Sequence, residues 1–182
     1  MRPDRGLARY VGAVSGFTTV TENLSTPEET FAHIVTLSNW PTFRGFGPLP
    51  GIVSASIPDG TVVGLGARVR VTNTDGSVHH EGVTTFEPPR RYAVRMELGS
   101  PASRVMASID EDVELEAVAG GTRVRRRFVV RPRAWLTSPL AWLVTHAFLR
   151  PAVRRHDRAV AAALSEGSTR SAIGGPWGPP PS

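Results

Sequence analysis

Carboxylates stand at every second position in one segment, Asp110, Asp112, Glu114 and Glu116, and arginines do the same in the next, Arg123, Arg125 and Arg127. Gly120-Gly121 lies between them. A period of two is the signature of a β-strand, whose side chains alternate between faces. Two such strands around a tight glycine turn make an antiparallel hairpin with one charged face. If Gly120-Gly121 forms the turn, Ala119 faces Thr122, Glu116 faces Arg125, Glu114 faces Arg127 and Asp112 faces Val129. The other face then holds Ala117/Val124, Leu115/Arg126 and Val113/Phe128. Each opposite-charge pair contributes only about 0.2–1 kcal/mol. Their larger effect is on register, because a one-residue slip would turn every side chain to the wrong face.

The rest of the chain is consistent with a sheet built around this hairpin. Strand-like runs cover 17–24, 52–57, 67–72, 77–86, 92–98, 105–118 and 122–131, with turn residues between them. Short local connections imply an antiparallel meander. The same counting around Asp75-Gly76 puts Arg70 opposite Glu81 outside and Val71 opposite His80 inside. After the first strand, Ser25-Thr26-Pro27-Glu28-Glu29 opens a helix: a hydroxyl cap, a proline in the first turn and acids at the positive end. It ends near Asn39, and Trp40-Pro41-Thr42-Phe43 begins an aromatic turn.

A long helix over 138–165 closes the fold. Trp142, His146, Leu149, Val153, His156, Val160 and Leu164 follow steps of three and four along one stripe. Pro151 removes a helical hydrogen bond and is expected to bend it. The expected architecture is therefore α+β: a helix-grip, in which a curved antiparallel sheet of about seven strands wraps a long C-terminal helix, with two short helices after strand one. Residues 1–14 read as a flexible arm, 15–166 as the ligand-binding domain and 167–182, rich in Gly, Pro and Ser, as a disordered tail.

Several chemistries are excluded by residue content. The chain has 182 residues and no cysteine, so disulfides, zinc-thiolate sites and cysteine nucleophiles are impossible. The five histidines form no metal-binding pattern. There is no Gly-x-Ser-x-Gly elbow, and Gly64-Leu65-Gly66 lacks the third glycine of a dinucleotide fingerprint. No metal or cofactor is expected. The net charge of +5 comes from arginine alone and is too modest to argue for nucleic acid. The N-terminal residues lead into no apolar signal core, and the apolar stretch 134–149 is broken by Pro139, so a cytoplasmic protein is expected.

A bent helix across a curved sheet leaves space between the two. Its expected lining is Trp40, Phe43, Phe46, His80, Thr84, Tyr92, Val94, Met96, Ile109, Val113, Arg126, Phe128, His146 and Leu149. Arg126 carries the most information, because its neighbours in alternation, Val124, Phe128 and Val130, are apolar and it must point inward. A buried guanidinium demands a carboxylate, backbone carbonyls, water or a ligand anion. Glu111 has the same inward parity but lies about two pairs further along the sheet, within reach only through long side chains or water, and the alternative is a bend in the sheet that takes both residues to solvent. His80, Tyr92, Glu111 and Arg126 are the candidates for acid–base work, should the protein be an enzyme.

Particular stretches resemble a known family. Thr26-Pro27-Glu28-Glu29-Thr30-Phe31 followed by Asn39-Trp40-Pro41 is similar to the opening of the START/polyketide-cyclase (SRPBCC) superfamily. So are Val63-Gly64-Leu65-Gly66, Phe86-Glu87-Pro88-Pro89-Arg90-Arg91-Tyr92 and Gly120-Gly121-Thr122-Arg123-Val124, while Leu149-Arg150-Pro151-Ala152-Val153-Arg154-Arg155 resembles its polyketide cyclase/dehydrase and lipid-transport branch. The resemblance covers about 16–165 and implies the helix-grip fold. It supplies no catalytic residue. It implies binding of a hydrophobic small molecule, such as a lipid, isoprenoid, quinone or polyketide-like compound, and the expected inward positions of His80, Glu111 and Arg126 add that this molecule is oxygenated. The alternatives are a cofactor-free aromatase/cyclase-type enzyme and a peripheral membrane or partner-binding protein, the last on account of Arg131, Arg133, Arg150, Arg154 and Arg155 around Trp135, Leu136, Leu140 and Trp142.

Overall fold

The computed structural model describes residues 14–58, 62–99 and 101–173. Seven strands, β1 (Ser15–Asn23), β2 (Ile52–Ser56), β3 (Arg68–Asn73), β4 (Val78–Glu87), β5 (Arg91–Glu97), β6 (Met106–Val118) and β7 (Gly121–Pro132), form one antiparallel sheet in the order β1-β7-β6-β5-β4-β3-β2. The last strand thus pairs with the first, and every other neighbour follows in sequence. Helix α1 (Pro27–Val35) and a 3₁₀ turn (Leu37–Thr42) connect β1 to β2. Thr26 caps α1 through a reciprocal capping box with Glu29.

The closing helix comprises α2 (Ser138–Val144), a wide π turn (Thr145–Leu149) and α3 (Arg150–Ile173). The departure from α geometry therefore comes just before Pro151, where the bend was expected. Pro151 cannot donate a hydrogen bond and its ring would crowd the carbonyl four residues back. In the wider turn the Arg150 N–H reaches the Thr145 carbonyl instead. Helix α3 continues to Ile173, past the boundary expected at 166, so 167–173 is helical rather than part of a disordered tail. Residues 1–13 of the arm expected at 1–14, and residues 174–182 of that tail, lie outside the described residues.

Charge pairing on the outer face of the sheet is as the alternation implies, but its register differs. Val118 pairs with Gly121, so the turn is Ala119-Gly120, and Glu116 faces Arg123 rather than Arg125. Gly120 supplies the left-handed backbone of the turn, with φ of 85°. Gly121 lies under β1, where a Cβ would come within 1.9 Å of the Asn23 carbonyl oxygen. The shift is even, so no side chain changes face. Arg123 bridges Glu22 and Glu116, Arg91 holds Asp112, and Arg95 and Arg131 hold Asp110.

The β3–β4 hairpin differs by one residue. Three residues, Thr74-Asp75-Gly76, turn between Asn73 and Ser77, with Gly76 at φ of 81°. Arg70 therefore faces His80, and Val71 faces His79. This odd slip turns His79 and Glu81 inward and His80 outward, the reverse of the expectation.

Candidate functional site

The inward face of the sheet carries two apolar clusters. Phe17, Met106, Ile109, Phe128 and Val130 pack with Ala141, Leu149 and Val153 of the closing helix. Phe31 of α1 packs with Val83, Tyr92, Val94, Val113, Leu115 and Val124. Between them runs a polar belt. On β6, Glu111 separates Ile109 from Val113; on β7, Arg126 separates Phe128 from Val124; on β1, Thr19 stands directly opposite Arg126. Glu81 and His79 of β4 extend the belt across the sheet, and Asp157 of α3 meets it from above.

All three guanidinium nitrogens of Arg126 donate within the belt. Its Nε donates to Glu111 Oε1 at 2.8 Å, one terminal nitrogen donates to the same oxygen, and the other donates to Asp157 Oδ1 at 2.5 Å. Thr19 Oγ1 donates to Asp157 Oδ2 at 2.6 Å. The Phe128 ring lies under the guanidinium, 5.5 Å from its centroid. On β4, His79 Nε2 lies 3.0 Å from Glu81 Oε1, and Asn73 Nδ2 lies 3.2 Å from His79 Nδ1.

These groups titrate unusually. Burial raises Glu111 above the ordinary carboxylate range; Arg126 opposes this, while Glu81 and Asp157 add to it. Burial works against the charge of Arg126, yet Glu111 and Asp157 outweigh it and hold the guanidinium more firmly protonated than usual. Burial, then Glu81 and Glu111, push the Tyr92 hydroxyl far above the phenol range. Burial, then Arg126, push His156 down to about 4, so its imidazole is neutral at neutral pH. The Tyr92 hydroxyl and His156 Nδ1 are buried with no hydrogen-bond partner among the described residues.

Belt and clusters enclose a cavity of about 460 Å³ between the sheet and the closing helix. Ten of the expected residues line it: Trp40, Phe43, Tyr92, Val94, Met96, Ile109, Glu111, Arg126, Phe128 and Leu149. Trp40 also donates from Nε1 to the Ile34 carbonyl at 3.0 Å, which ties the 3₁₀ turn to α1. Five expected residues lie elsewhere. His80 is on the outer face. Thr84 is the extra residue of a β-bulge between Val83 and Thr85 and is exposed. Phe46 sits at an exposed loop tip. Val113 is packed into the apolar core with no exposed surface. His146 turns towards β1, 3.2 Å from Ser15 Oγ, and against the Trp142 ring.

Sequence reasoning missed His79, Glu81 and Asp157 as lining, and left His156 between core packing and pocket polarity; it lines the cavity. The signal for Asp157 was its spacing, four residues after Val153 and three before Val160 on the inward stripe, obscured by the arginines at 154, 155 and 158.

A seven-stranded antiparallel sheet gripping a long helix around a cavity is a helix-grip fold. The chain belongs to the polyketide cyclase/dehydrase and lipid transport family, whose model matches residues 17–166. Solved structures show the same fold at low identity. A START superfamily protein from Mycobacterium smegmatis superposes with a TM-score of 0.60 at 10% identity, over 82% of this chain and 98% of the other. The di-domain ARO/CYC StfQ from the steffimycin biosynthetic pathway gives 0.62 at 10% identity, over 86% of this chain and 52% of the other. Ara h 8.0201 gives 0.55 at 19% identity, over 66% and 80%. No curated protein matches the chain. Among the described residues, no helix is long and apolar enough to cross a membrane.

Proposed function

We propose that this domain encloses one oxygenated hydrophobic molecule, of the lipid, isoprenoid, quinone or polyketide-like kind. The observation that carries this reading is an apolar cavity of about 460 Å³ crossed by a polar belt and holding two buried polar atoms without partners, the Tyr92 hydroxyl and His156 Nδ1. The volume falls in the range of small-molecule sites. Buried polar atoms without partners are costly, and a ligand hydroxyl or carbonyl would satisfy them. The test is native mass spectrometry of the purified protein, followed by titration of the stripped protein with a fluorescent hydrophobe. One equivalent of ligand or dye is the expected result. An empty protein that takes up nothing from a broad panel refutes the reading.

A second reading, an aromatase/cyclase-type enzyme, draws on the same groups. Neutral His156 on α3 can accept a proton, and Tyr92 and Glu111 on the sheet can donate one, all lining the same cavity. The name of the StfQ neighbour is of this kind. Incubation with a poly-ketone thioester analogue decides: cyclised product that disappears with Tyr92→Phe or His156→Gln supports catalysis, and binding without product supports a carrier.

A further inference from the structure

The 3₁₀ turn Trp135–Thr137 and the first turns of the closing helix leave apolar side chains in solvent. Trp135 is 62% exposed, Leu136 70%, Leu140 47%, Trp142 57% and Leu143 46%, and Phe46 on the neighbouring loop is 41% exposed. A core-packed amphipathic helix would bury such a set. The surrounding charge has one sign. Residues 131–156 contain five arginines and no carboxylate; 41–58 contain Arg44 and 98–109 contain Arg104, again with no carboxylate. These three segments meet at one end of the molecule, because Leu49, Ala102, Val105 and Val144 all pack on the same apolar cluster. The Arg133 N–H bonds the Val105 carbonyl at 2.8 Å, which brings Arg133 beside Arg104. Arg44, Arg104 and Arg133 are exposed and form no ion pair among the described residues.

We propose that this end docks on an anionic lipid surface, with Trp135, Leu136 and Trp142 entering the headgroup region and the arginines engaging lipid phosphates. Tryptophan and arginine both suit that interface: an amphipathic ring in one case, an apolar stem with a charged head in the other. Each arginine near such a surface adds about fivefold to partitioning. The cavity opens within the patch, since Leu140 is both half exposed and part of the cavity lining. Docking would therefore set the cavity mouth against the bilayer, where a hydrophobe could pass without crossing water.

The test is co-sedimentation with vesicles of phosphatidylcholine, alone or with about one third phosphatidylglycerol, at low and at near-physiological salt. The wild-type chain is expected to sediment with the anionic vesicles, less so as salt rises, and brominated acyl chains are expected to quench its tryptophan fluorescence. Trp135→Ala/Trp142→Ala should lower the partition coefficient at least tenfold, and Arg133→Gln about fivefold. None of these side chains lines the cavity, so dye uptake serves as the control for folding and for the cavity reading, which stands or falls separately. No sedimentation at low salt, or equal binding to neutral vesicles, overturns the proposal. So does a concentration-dependent dimer that the double tryptophan variant abolishes while vesicles are ignored, because the patch is then an interface between two copies.

Discussion

Arg126→Met would remove the only cation among the described residues that touches Glu111 and Asp157. Arg126 makes three hydrogen bonds to these carboxylates, and both are buried. Methionine fills much of the same volume, so the cost is electrostatic rather than a cavity. Glu111 is already held above the ordinary range, with Arg126 as the restraining influence, so without Arg126 it should take up a proton in the folded state. Protonating a carboxyl at pH 7 against a reference value of about 4.3 costs up to about 3–4 kcal/mol. That agrees with the roughly 3–5 kcal/mol lost when a buried pair is broken. The sign of the pH dependence follows. A carboxyl whose folded pKa is raised binds protons more tightly folded than unfolded, so its folded state loses stability as pH rises towards that folded pKa. The variant should therefore recover about 1.4 kcal/mol for each unit of acidification from pH 7 to pH 5. Adding Glu111→Gln removes the stranded charge and should restore part of the loss at pH 7. Urea unfolding followed by circular dichroism at pH 5, 6 and 7 measures all three values. A deficit below about 1 kcal/mol at pH 7, or one independent of pH, would refute the reasoning.

The same physics predicts acid sensitivity from His156. Its folded pKa lies near 4 against 6.5, so stability should fall as pH drops from 6.5 towards 4, by at most about 3 kcal/mol; His156→Phe should flatten that part of the pH–stability curve. Ala161→Phe directs a ring into the cavity and should abolish dye uptake, while thermal unfolding shifts by a few degrees. Thr26→Ala breaks the capping box and should cost about 1 kcal/mol in urea unfolding. Gly121→Ala forces a methyl group against the Asn23 carbonyl and should cost more than 2 kcal/mol or so, with lost amide protection concentrated on β1 and β7.

The element order and strand positions were legible because period-two alternation and turn residues are local signals. Residues of the belt were legible where one strand alone decides the face: Arg126 among Val124, Phe128 and Val130 points inward, and the observed register sets Glu111 one pair nearer to it than the hairpin count did, within direct hydrogen-bonding reach. Legibility failed where a turn decides the register. Both glycines of Gly120-Gly121 looked like turn formers, but Gly121 is glycine because a carbonyl passes over it; the resulting shift of two left every face unchanged. Asp75-Gly76 looked like a two-residue turn but belongs to a three-residue one, and that single residue exchanged His80 for His79 and Glu81. Asp157 was hidden for a different reason: its spacing from Val153 and Val160 puts it on the inward side of the helix, but Arg154, Arg155 and Arg158 around it obscure the stripe there.

The π turn at Thr145–Leu149 also has a bearing on which sequence changes this fold could absorb. A π turn holds one more residue than the α turn it replaces, and each residue of a helix turns the chain by about 100°. Because the extra residue is held within the wide turn, deleting one residue there would close it to an α turn and leave the faces beyond it in phase. Asp157 would stay above the belt against Arg126, whereas the same deletion inside the regular turns of α3 before it would rotate it away by about 100°. A length change of one residue is therefore absorbed at this turn with the belt intact, and elsewhere in the helix it would dismantle the belt.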